Sequence, residues 1–87
     1  MATSNEKYVG IDVSKDKLDI AVRGDKQAWR VDNVREGIAG LVKQMVNLQP
    51  ELIVVEATGG YQRGVVEGLF QAGLPVAVVN PAPARPW

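Results

Sequence analysis

The chain has 87 residues, 46% of them apolar, and its ten basic residues balance its ten acidic ones. That composition excludes a disordered chain and leaves room for one small domain, near the size at which a single core is only just adequate. With no cysteine and no histidine, disulfides, thiolate or imidazole metal sites and a histidine base are excluded, so any acid–base or metal chemistry rests on carboxylates, lysine, hydroxyls or backbone.

The even charge balance confines any contact with nucleic acid to local patches or to parts outside this sequence. The polar start MATSNEKY lacks the apolar core of a signal peptide, and no apolar run approaches the roughly 20 residues of a membrane span. A cytoplasmic protein with no membrane contact is the expectation. Residues 1–7 read as a flexible tail.

Residues 8–13 form a strand, with Val9, Ile11 and Val13 alternating onto one face. Ser14 to Lys17 makes a charged turn. Residues 18–23 are a second strand that puts Leu18, Ile20 and Val22 on one face and Asp19, Ala21 and Arg23 on the other. Asp19 is read as a surface residue, with Arg23 as its salt-bridge neighbour. Gly24-Asp25-Lys26 makes a hairpin connection into a third, edge-like strand at 27–32.

Asn33, with Glu36 three residues on, offers a capping arrangement for a helix. That helix carries Ile38, Leu41, Val42, Met45 and Leu48 at helical spacing and stops at Pro50. The apolar run LIVVEA at 52–57 reads as a strand buried on both faces. Thr58-Gly59-Gly60 turns the chain into a second helix at 61–72, whose inner side is Val65, Val66, Leu69 and Phe70. Gly73 fits its C-cap. VAVVN at 76–80 is another buried strand, and residues 83–87 form a proline-rich tail.

Three strands in a meander, followed by alternating helices and strands, predict a mixed α/β sheet. Right-handed crossovers carry the fourth strand beside the first and the fifth outside it, giving the order 3-2-1-4-5. Asp12 and Glu56, acids inside apolar runs, then lie together at the carboxyl ends of neighbouring parallel strands, the edge where open α/β sheets bind ligands. Two carboxylates there repel unless something positive sits between them, and hard oxygen donors suit Mg2+ or Mn2+. The bland alternative is a pair of strand-end acids served by solvent or by Lys15 and Lys17.

YVGIDVSKDKLDIAV and LIVVEATGGYQRGVVEGLFQAGLPVAVVNPA together resemble the N-terminal RuvC-like domain of the DEDD insertion-sequence transposases and Piv-type DNA invertases. The resemblance covers about residues 8–82. It implies a ribonuclease H-like sheet, metal-dependent DNA cleavage and transfer, DNA as partner and, in some members, a structured RNA. It makes Asp12 the family's first acid and Glu56 its second, both as metal ligands and catalytic residues. The family's third and fourth acids form an Asp-x-x-Asp pair, and no acid follows Glu67 here. The expectation is therefore a partial catalytic domain, inactive alone, that forms a homo-oligomer through apolar surface left bare.

Lys15, Lys17 and Thr58 are candidate nucleic-acid contacts. A solvated turn and an ordinary tight turn are their plain readings, although amides around Thr58-Gly59-Gly60 could also hold an anion. Two further readings stand beside the first. One is a nucleotide-binding module of the sugar-kinase and actin superfamily, against which Val13 stands where a phosphate loop uses glycine. The other is a non-catalytic dimerising remnant.

Overall fold

The computed structural model describes residues 7–56 and 59–80. Chain order is β1 (Tyr8–Val13), β2 (Lys17–Arg23), β3 (Gln27–Asp32), α1 (Arg35–Leu48), β4 (Leu52–Glu56), α2 (Arg63–Gln71) and β5 (Val76–Val79). The five strands form one sheet in the order β3-β2-β1-β4-β5. β1, β2 and β3 pair antiparallel, while β4 runs parallel to both β1 and β5. The order and strand directions are those expected from the sequence.

The alternation of the strands decides where the core sits. Val9, Ile11, Val13, Leu18, Ile20, Val22, Ile53 and Val55 are all buried and share one face. Both helices cover that face, because the crossovers from β3 to β4 and from β4 to β5 move in the same direction across the sheet. Right-handed connections that move in one direction place their helices on one side. Leu41 and Met45 from α1 and Val65 and Leu69 from α2 complete the core. Among the described residues no polar or charged side chain is buried.

The helices approach closely at two glycines. A β carbon on Gly64 would lie 3.0 Å from Ile38, and one on Gly68 would lie 3.2 Å from Ile38 and 3.3 Å from Val42. Gly37 serves a different contact, since a β carbon there would overlap the backbone carbonyl of Asp32 at the end of β3.

Several local expectations change. Among the described residues β4 is covered on one face only: Ile53 and Val55 are buried, while Leu52 and Val54 on the other face are half-exposed. Phe70 is 74% exposed and does not line the inner side of α2. α2 starts at Arg63, because Gly59 and Gly60 take positive φ values of 59° and 86° and hold the chain in a turn. β2 starts one residue earlier than expected, at Lys17, and β5 ends at Val79.

Asn33 does not cap α1. Val34 occupies the N-cap position with extended backbone and makes no side-chain cap bond. The Asn33 amide instead donates to the backbone carbonyls of Ser14 (3.0 Å) and Tyr61 (3.1 Å). Gly73, with φ 78°, follows the C-cap residue Ala72, and its N–H donates to the Phe70 carbonyl. Among the described residues no helix is long and apolar enough to cross a membrane.

Candidate functional site

The sheet face away from the helices carries the polar side chains. Register places Arg30, Asp19, Asp12, Glu56 and Val79 side by side in a row across all five strands. Asp12 is one residue from the end of β1 and Glu56 is the last residue of β4. Both sit at the carboxyl edge of the parallel pair and are exposed. Parallel neighbours are separated by roughly 4.8 Å between strand axes, so the two carboxylates share one small region of surface.

The row below it is small and apolar: Ala28, Ala21, Gly10, Val54 and Ala77. A β carbon at Gly10 would meet nothing within 4 Å. The short side chains leave a trough of about 710 Å³ whose walls include Asp12, Asp19, Arg30 and Glu56.

The acids of the row are not equivalent. Arg30 Nε donates to Asp19 Oδ1 at 2.7 Å. That hydrogen bond, then the charge of Asp19, raises the Arg30 guanidinium above its ordinary value. Asp19 thus pairs with Arg30 across the hairpin, not with Arg23. Asp12 and Glu56 form no ion pair among the described residues. Two carboxylates in register with no ion pair among the described residues are an electrostatic setting that favours a bound cation.

The turn after β1 is compact. Ser14 Oγ donates to the Lys17 carbonyl at 3.1 Å, and the Ser14 N–H reaches the same carbonyl at 2.9 Å. Lys17 Nζ is held by Asp32 at 2.6 Å. Lys15 is exposed and makes no ion pair among the described residues. Thr58 lies outside the described residues.

Asp12 and Glu56 are the expected site residues that the fold brings together. Asp19 and Arg30 were missed as members of the same row. The signal for Asp19 was present: a turn centred between Ser14 and Lys17 pairs Asp12 with Asp19.

A mixed five-stranded sheet in this order is a ribonuclease H-like, RuvC-like fold. Solved structures agree on the fold. Thermus thermophilus RuvC is 23% identical with a TM-score of 0.62, and the match covers 86% of this chain and 62% of that one. A Bacteroides thetaiotaomicron protein with an actin-like ATPase fold and unknown function is 20% identical with a TM-score of 0.64, covering 87% of this chain and 33% of that one. The chain thus spans a third of one neighbour and under two thirds of the other. No curated protein matches it. The family is nonetheless defined by sequence: residues 9–87 match the IS110-type DEDD family, described as transposase, and the chain belongs to that family.

Proposed function

We propose that this chain supplies the first two metal-binding carboxylates of a DNA transposase, Asp12 and Glu56, which hold Mg2+ or Mn2+ for strand cleavage and transfer. The observation that carries this reading is their direct register on the open sheet face, with neither acid in an ion pair among the described residues. The donor set suits a hard divalent ion, which takes carboxylate oxygens and keeps several waters. Such an ion, when bound, stabilises negative charge on the oxygens exchanged at phosphorus. The chain's own part is to fix two carboxylates on rigid strands, beside a trough open to a nucleic-acid backbone.

Among the described residues no three acids gather as a closed metal cluster. With two of the family's four acids and no Asp-x-x-Asp pair after β5, residues 8–82 act as part of a catalytic domain and do not cut DNA alone. Calorimetric titration with Mn2+ tests the ion site. Weak binding that is lost in both Asp12→Ala and Glu56→Ala supports it; binding that survives either substitution contradicts it. A plasmid-nicking assay should show no turnover dependent on Asp12.

The actin-like neighbour favours a second reading, a nucleotide-binding module. The turn after β1 weighs against it: Val13 is 3% exposed on the core face, and Ser14 and Lys17 close on each other. No glycine-rich phosphate loop is left there. Tight ATP binding would reverse this preference.

Exposed apolar side chains around β5 support self-association as well. Phe70 and Val78, which line one groove, are 74% and 47% exposed, and apolar surface of this kind commonly marks an interface. Light scattering over a concentration series should give a mass above the monomer.

A further inference from the structure

We propose that Tyr61, in the loop that follows Glu56, is a stacking platform for an unpaired nucleobase, with Lys15 in the turn that follows Asp12 for the adjoining phosphate. The proposal rests on the nucleic-acid reading above and adds a contact of its own to it. Tyr61 is 45% exposed, although it lies in the loop between β4 and α2, five residues beyond Glu56. An exposed aromatic ring that is held in one place offers its face to a ligand that has a π-face.

The ring is held. Gly59 takes φ 59°, and a β carbon on it would lie 3.3 and 3.5 Å from two carbons of the Tyr61 ring. The ring therefore rests against the glycine, where a larger residue would push it away. The backbone is held too, because the Tyr61 carbonyl accepts a hydrogen bond from Asn33 Nδ2 at 3.1 Å.

The same Asn33 nitrogen donates to the Ser14 carbonyl at 3.0 Å. One amide thus ties the loop after Glu56 to the turn after Asp12. Lys15, the next residue in that turn, makes no ion pair among the described residues. Lys17, in contrast, is taken by Asp32. An aromatic ring and an unpaired cation on two loops joined by one amide supply the two contacts by which proteins hold single strands: stacking on the base, charge on the backbone. Stacking is indifferent to sequence and to the sugar, so single-stranded DNA and RNA offer the same chemistry.

The test is fluorescence anisotropy with labelled strands of about ten nucleotides, as oligo-dT, oligo-rU and a mixed-sequence duplex, in chelator. The intact chain should bind at least one of the single strands, and whichever it prefers identifies the source. Tyr61→Ala and Tyr61→Leu should each weaken that binding roughly tenfold, while Tyr61→Phe stays within about twofold. Lys15→Gln should lower the salt slope by about 0.7. Circular dichroism would confirm that each variant is folded.

No strand binding by the wild type, equal binding by Tyr61→Ala and Tyr61→Leu, or a loss in Tyr61→Phe as large as in Tyr61→Ala would overturn the proposal. Absence of Mn2+ binding by the wild type with the Tyr61 effect intact would sink only the ion reading, and the reverse result would sink only this one.

Discussion

Gly37 and Gly10 are both glycines in regular elements, yet their surroundings differ. A β carbon on Gly37 would overlap the Asp32 carbonyl, which is backbone and cannot swing aside. Gly37→Ala should therefore lower stability by roughly 2–4 kcal/mol in urea unfolding, the cost of forcing α1 away from the end of β3. Gly10→Ala meets open space and should change stability by less than about 1 kcal/mol, while beginning to fill the trough beside Asp12. The Arg30–Asp19 pair is exposed, so it adds little stability. Because Arg30 is shifted upward, its contribution is complete below the ordinary arginine range and is lost only as pH rises beyond it. A stability profile from neutral to mildly alkaline pH should show no step from this residue. Asp12 and Glu56 were legible in the sequence because an acid inside an apolar run breaks the pattern. Arg30 was not, since a charged residue on an edge strand breaks nothing.

At the scale of elements, period and punctuation placed every strand and helix, and the errors arose where tertiary contact overrode local chemistry. Asn33 has the residue type and position of a helix cap, but two carbonyls from distant loops compete for its amide and win. Asn33→Asp keeps the shape and removes the donors, leaving an anion facing two carbonyl oxygens. Hydrogen exchange should speed up in the 14–17 turn and in residues 59–62 together, with the amides of β1 and β4 unchanged. Faster exchange in only one of the two segments would contradict the shared tie. Phe70 failed for a geometric reason. Val65 and Leu69 on α2 are fully buried and Val66 packs partly on the core, while Phe70, four residues on from Val66, falls at the rim and is exposed. Helical period alone does not say how wide a stripe the neighbouring sheet will cover. β4 was read as buried on both faces because its run is continuous. Both helices fell on one side, so Leu52 and Val54 remain on the open face.

For the whole molecule, the strand order was readable because the right-handed crossover rule leaves few arrangements once the meander and the two helix–strand units are recognised. The same rule, applied to two crossovers in one direction, explains a sheet with one covered face and one open face. The open face carries the acid row and the trough, so the asymmetry of the fold and the position of the site have one cause. Truncating the covered face should be costly: Leu41→Ala or Leu69→Ala, each at a fully buried position, should remove roughly 2–5 kcal/mol. Substitutions at Asp12 or Glu56, both exposed, should leave the fold intact and relieve the repulsion between them.

The proposed function requires Asp12 and Glu56 to act together on one ion. Anomalous diffraction from Mn2+-soaked crystals, with wild type and Asp12→Ala compared, tests this most directly. A peak between the two carboxylates that vanishes in the variant is the predicted result. A peak that persists without Asp12, or none in the wild type with the strands in the register described, would contradict it.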